Sequence, residues 1–183
     1  MICDTAESVT RQVNSATVQR LIESKDFAHN ETFIERGCSA YVLVDGPDWE
    51  DSQSNAKELG GNLVTINDSD EWEWFRNEYV PDRYAYPDSY KSYTRGEVQL
   101  WVGMNDIDSE GELTWVSGES SGAKPSELNL EQGASPNKDN YGVWQWEQQR
   151  ITTYDKNFQQ RKKDGWTEEA NNIRGVVEIS ICE

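Results

Sequence analysis

The segment LWVGMNDIDSEGELTWVSGES, residues 100–120, holds the residues with the most chemistry to offer: Asp106, Asp108, Glu110 and Glu112 fall at every second position between Trp101 and Trp115. Carboxylates are hard oxygen donors, the type of which calcium takes about six to eight at roughly 2.3–2.6 Å. Two readings stand open: a cation-supported loop, or an acidic hairpin turn facing water. As an EF-hand loop, Asp106, Asp108, Glu110 and Gly111 fit the first half, but Ser117 falls where a bidentate Glu is required. The other donor types are scarce. The cysteines are Cys3, Cys38 and Cys182, without a Cys-x-x-Cys spacing, and His29 is the one histidine, which argues against zinc of the Cys/His kind. With no nucleophile elbow and no glycine-rich phosphate loop, nothing points to catalysis, and the chain reads as a non-enzyme.

The elements that must position these residues are short. After an amino-terminal stretch of sparse apolar residues (Ala6, Val9, Val13 and Ala16 at helical spacing, then out of phase), residues 1–36 read as an arm with a weak helix. That arm either attaches to a larger assembly or packs on its own domain. CSAYVLVDGPDW then predicts a strand ended by a turn. In DWEDSQSNAKELGG the positions Trp49, Ser52, Gln53, Ala56 and Leu59 share a helix face, Asp48 caps the start, and Gly60-Gly61 stops it. NLVTI is a short strand. NDSDEWEWFRNEY predicts a second helix capped by Asp68 or Ser69, with Trp72 and Phe75 pointing inward. Tyr84, Tyr86, Tyr90 and Tyr93 follow in an irregular stretch that reads either as a binding surface or as a cover on the core edge. VQLWVGM, ELTWVSG, YGVWQWE and RGVVEISI are strands, with a polar insert between the last two that carries Arg150, Arg161, Lys162 and Lys163, either a basic tip for an acidic partner or a solvated hairpin. Helices first and strands later indicate an α+β class.

At 183 residues the chain fits one main core plus an arm. Its 17 basic and 34 acidic residues leave a formal charge of −17, which repels phosphate backbones and anionic head groups, so nucleic acid and membranes are poor partners. No stretch approaches the roughly 20 apolar residues of a bilayer span, and MICDTAESVTRQVNSATVQRL lacks the pattern of a signal peptide. The expectation is an excised domain, or a chain released without the general secretion route, as virion components are.

DWEDSQSNAKELGGNLVTIND, LWVGMND, EGELTWVSGE and RGVVEI, in this order, resemble the C-type lectin-like domain family over about residues 37–183. The resemblance implies a double-loop domain with two helices flanking small antiparallel sheets, paired terminal strands, and a long loop that carries the ligand site. Trp101 and Trp115, on neighbouring strands, are expected as a paired aromatic base under that loop. Pairing of SAYVLV with VVEISI would bring Cys38 near Cys182, a disulfide pair; the family's extended forms make Cys3 with Cys182 the competitor.

Carbohydrate-binding members of that family are similar to one another in a calcium cage whose shell two sugar hydroxyls complete. The corresponding residues here are Ser135-Pro136-Asn137, then Asp139, and GWTEE, in which Trp166 is kept while Thr167 and Glu168 replace Asn and Asp. Ser135 and Thr167 are neutral where the family has a carboxylate and an amide, which leaves Asn137, Asp139 and Glu168 as metal ligands. An auxiliary calcium site would use Asp106 and Glu110, with Asp139 and Asn140 on its far side. The resulting expectation is a non-catalytic module that recognises a glycan or a cell-surface protein, with or without calcium, through Ser135, Asn137, Glu168 and the aromatic platforms Trp144 and Trp146. The competing expectation is a structural component of a virion or adhesin that uses the fold for protein interaction. Either places the chain outside the cell, on its surface or on a virion.

Overall fold

SAYVLV has no polar face because neither of its faces meets water. The computed structural model describes residues 6–46, 48–79, 99–119, 140–145, 150–155 and 174–182. Within it, β2 (Ser39–Val44) runs through the middle of the structure, and Ala40 to Val44 are all buried. Tyr41 and Leu43 point to a core shared with Trp72, Phe75, Leu100, Val102, Trp144 and Val176, while Val42 and Val44 join Ala56, Leu59, Val177 and Ile179 on the other side. Helices cover both faces, and a strand so enclosed is apolar throughout.

The second of those cores draws in the amino-terminal region. Helix α1 (Ala6–Glu23) buries Ile22 completely, with Val18 and Leu21 packed beside it. Asn14 Nδ2 donates to the Ile181 carbonyl at 3.3 Å, and Ser15 Oγ bonds the Glu35 carboxylate. Strand β1 (Ala28–Arg36) then pairs antiparallel with β2, from Ala28 opposite Val44 to Arg36 opposite Ser39. Of the expected arm of residues 1–36, residues 14–36 pack on their own domain, the second of the two readings given for it. Strand β1 was hidden because its inward residue is polar. Thr32, 2% exposed, fills a register shift by donating to the His29 carbonyl at 2.6 Å and accepting from the Leu43 N–H at 2.8 Å.

Helix α2 (Trp49–Glu58) starts and stops as its sequence predicts. Asp48 accepts from the Asp51 N–H at 2.9 Å, and Glu50 and Asp51 add negative charge at the positive end of the helix dipole. Gly60, at φ 81°, ends it in a Schellman arrangement: Gly60 N–H donates to Lys57 and Gly61 N–H to Ala56, both at 3.0 Å. Trp49 Nε1 donates to the Val102 carbonyl at 2.7 Å, and its ring lies 5.0 Å from that of Tyr141, docking the helix on the sheet. Strand β3 (Asn62–Leu63) follows. Helix α3 (Ser69–Trp74) is capped by Asp68 and runs into a π-helical turn at Phe75–Tyr79.

The remaining strands are β4 (Gln99–Asn105), β5 (Thr114–Trp115), β6 (Asn140–Gln145), β7 (Arg150–Asp155) and β8 (Arg174–Ser180). Among the described residues they join one 8-stranded sheet in the order β1-β2-β8-β4-β6-β7, with β3 on β8 and β5 on β4. The expected small sheets are thus continuous, because β8 pairs antiparallel with β2 on one side and parallel with β4 on the other. Strand β7 lies where a polar insert was expected; its run of Ile151, Thr152 and Thr153, all buried, is the β-branched signal that marks it. Trp101 and Trp115 are both buried but on opposite faces, since Trp115 pairs with Met104, an odd number of residues from Trp101.

Candidate functional site

The acidic segment is a turn between β4 and β5 that its own residues hold closed. Asn105 Oδ1 accepts from the Ile107 N–H at 3.2 Å, and Asp106 Oδ2 accepts from the Gly111 N–H at 3.2 Å. Glu112 N–H donates to the Ser109 carbonyl at 2.9 Å, with Gly111 at φ 82° making the bend. Asp106 is 2% exposed, whereas Asp108, Glu110 and Glu112 face water. Ser117, the misfit of the EF-hand reading, is engaged elsewhere: its hydroxyl lies 2.7 Å from that of Thr65 and accepts from the Glu119 N–H at 3.2 Å.

The register around this turn brings distant sequence together. Asn105 pairs with Tyr141, so Asp106 leaves β4 beside the first residue of β6, Asn140. Asn140 in turn pairs with Asp155, the last residue of β7. Three segments, those after Asn105, before Asn140 and after Asp155, therefore attach at one end of the β4–β6–β7 ladder. As donors for a cation, Asp106 and Glu110 supply two carboxylates of the right hard type, and among the described residues no three His, Cys, Asp or Glu side chains converge. Ser135, Asn137, Asp139, Trp146 and Glu168 lie outside the described residues, as do Tyr84, Tyr86, Tyr90, Tyr93, Arg161, Lys162, Lys163 and Cys3.

The comparisons with known proteins bear on this geometry. No family model matches the chain. A perlucin-like protein of Mytilus galloprovincialis is 30% identical over 80 residues, 42% of this chain, and the match spans 42% of that relative. Among solved structures, the cow C-type carbohydrate-recognition domain of CD23, determined with a GlcNAc2Man3 oligosaccharide, superposes with a TM-score of 0.54 at 16% identity, over 82% of this chain and 94% of that one. Human lithostathine gives 0.55 at 14% identity, over 88% and 94%. The chain has the C-type lectin fold.

Within the C-type lectin fold, Trp144 is not a ligand platform. It is fully buried, edge-on to Phe75 with ring centroids 5.7 Å apart, and its face belongs to the core. Cys38 and Cys182 form a disulfide with Cα atoms 5.1 Å apart, and the adjacent Ile181 N–H donates to the Cys38 carbonyl at 2.8 Å. Arg150 opens β7 opposite Gln145.

A polar cluster that the sequence reading passed over lies under α3. Glu71 Oε2 accepts from the Asn67 N–H at 2.8 Å and Glu71 Oε1 from the Tyr41 hydroxyl at 2.6 Å. The same hydroxyl is 3.2 Å from Oε1 of Glu178, its cross-strand partner on β8. Glu178 also accepts from Ser39 Oγ at 2.8 Å and from the Thr65 N–H at 3.3 Å. Burial, and then the charge of Glu71, push the Glu178 carboxyl up to about 7. Burial, followed by the charges of Glu178 and Glu71, raises the Tyr41 phenol well above its ordinary range. The signal in the sequence was a lone carboxylate between Val177 and Ile179 in an apolar strand.

Proposed function

We propose that this domain is a non-catalytic binding module for a carbohydrate or another cell-surface ligand, with its site at the end of the β4–β6–β7 ladder. The observation that carries the reading is the register: the chain enters β6 just after Ser135, Asn137 and Asp139, and leaves β7 toward Glu168, at partnered residues Asn140 and Asp155. The turn that starts at Asp106 joins them through Asn105 and Tyr141. The fold supports it, since the CD23 domain of the same fold was determined with an oligosaccharide.

Calcium is the cation that this donor set suits. Asp106, Glu110, Asp139 and Asn140 would hold a supporting ion, and Asn137, Asp139 and Glu168 would hold one that presents sugar hydroxyls, with Trp146 beside it. Bound there, the ion supplies oxygen coordination for hydroxyls and stiffens the loop. The disulfide fits an oxidising compartment and so an extracellular, cell-surface or virion location. Among the described residues no helix is long and apolar enough to cross a membrane.

The test is calorimetric titration of calcium into chelator-stripped protein, repeated on Asp139→Ala, followed by a glycan array in calcium. Heat and a raised melting temperature that the variant loses, with array binding that chelator abolishes, are expected. No heat up to millimolar calcium together with a blank array would reject sugar binding. That outcome would favour the second reading, a protein-interaction surface of a larger assembly, which neutral Ser135 and Thr167 in place of stronger ligands also support.

A further inference from the structure

We propose that Glu178, facing Glu71 across the one hydroxyl of Tyr41, is held protonated in the folded chain and forms with Tyr41 and Glu71 a pH-dependent clasp that holds α3 on the β2–β8 ladder. Their geometry leaves little choice. Carboxylate oxygens of both residues lie within hydrogen-bonding distance of one phenol oxygen, at 2.6 and 3.2 Å, and a phenol has a single proton to donate. When both are ionised only one can take the Tyr41 proton; Glu178 keeps its bonds from Ser39 Oγ and the Thr65 N–H, and Glu71 its bond from the Asn67 N–H. Like charges at such range in a poorly hydrated site disfavour double ionisation.

The surrounding groups do not relieve this. Helix α3 contributes Glu71, β8 contributes Glu178, β2 contributes Tyr41 and Ser39, and the π-helical turn places the Tyr79 ring 6.0 Å from that of Tyr41. Arg36 of β1 sits over Trp74 at 5.2 Å, and Arg76 pairs with Glu73. Among the described residues no cation pairs with Glu71 or Glu178.

The direction of the effect follows by linkage. Below the ordinary glutamate value of 4.5 the Glu178 carboxyl is protonated in both folded and unfolded chains, so its contribution to stability is fully present. Between 4.5 and about 7 the folded chain keeps a proton that the unfolded chain has released. Stability therefore falls as pH rises through this window and levels above it. Acid strengthens the clasp and alkali loosens it.

Melting curves of the full chain from pH 5 to 8.5, in chelator so that no divalent cation replaces the proton, test this. Salt at about 1 M shortens the Debye length to roughly 3 Å and suppresses the general repulsion of an acidic surface, which has the same sign. The wild type is expected to lose about 5 °C or more across the window, and E178Q, whose amide mimics the protonated carboxyl, is expected to lose much less. E71Q should flatten the profile in the same way. A carbon-13 carboxyl titration of the wild type should show one side chain with a midpoint near 7 that is missing in E178Q. The Trp72 amide, which donates to Asp68 at 3.1 Å, should lose protection above neutral pH before the Val177 amide does. A flat wild-type profile, an unchanged slope in both variants, or no carboxyl titrating above about pH 6 overturns the clasp. Should neither variant fold, the wild-type carboxyl titration decides alone.

Discussion

Thr32 shows how a single polar residue can occupy a core position without cost. Its hydroxyl gives its proton to the His29 carbonyl and takes one from the Leu43 N–H, which closes a break in the β1–β2 register. Thr32→Val keeps the shape and removes both bonds, leaving two buried backbone groups unsatisfied. We expect a loss of about 1–3 kcal/mol in urea unfolding with an unchanged slope; a loss under roughly 0.5 kcal/mol would mean that the backbone pairs by other means. Such residues are what a hydrophobic pattern conceals. Trp144 was misread for the opposite reason. Tyr141 and Val143 enter one core and Trp144 the other, so alternation along β6 does not separate inside from outside when both faces are covered.

At the scale of elements, the legible ones carried their own start and stop chemistry. Helix α2 was read almost to the residue because Asp48 and Gly60-Gly61 encode its ends locally. Strands β1 and β7 were not: each is an edge strand in a local hairpin whose buried positions include polar residues, Thr32 in β1 and Thr152 and Thr153 in β7, so neither shows a clear apolar run. The two glycines that end α2 do different work, and this can be measured. At Gly60 an added Cβ meets nothing within 4 Å, so Gly60→Ala costs only the left-handed backbone, about 1–2 kcal/mol. At Gly61 it would meet the Glu178 carbonyl at 2.2 Å and Ile179 Cγ1 at 2.8 Å. A backbone oxygen in a paired strand cannot swing away. Gly61→Ala should therefore cost more than Gly60→Ala, about 3 kcal/mol or beyond, with faster amide exchange along β8. Equal losses in denaturant unfolding would show that the helix end and the strand are not in rigid contact.

The whole molecule is tied at its ends. β2 and β8 pair from Ser39 with Ser180 to Val44 with Gly175, and the disulfide closes the ladder beyond Ser39 across a sequence separation of 144. Proximity of Cys38 and Cys182 followed from the strand pairing; Cys3 as a competitor could not be set aside from sequence, because an odd cysteine count fixes no partner. Of the three segments at the ladder's far end, those flanking β6 and β7 are joined by a short hairpin. The turn after β4 reaches them through the long-range β4–β6 pairing, for which the chain has no local code and only the family resemblance gave a sign. A cross-link over such a loop removes unfolded-chain entropy that the loop-closure relation puts at about 5 kcal/mol, an upper value where the unfolded chain keeps structure. Replacing both cysteines by serine should cost about 2–5 kcal/mol in denaturant unfolding. Loss of order should begin at the closed end, so exchange of the Ile181 amide, held to the Cys38 carbonyl at 2.8 Å, should rise ahead of that of Val177 in the middle of β8. Because the disulfide and the Glu71–Glu178 clasp both act on β8, the double-serine variant, with Glu178 more easily hydrated, should also show a shallower loss of stability with rising pH than the parent. An identical pH slope in the two chains would mean that the clasp and the staple hold the sheet independently.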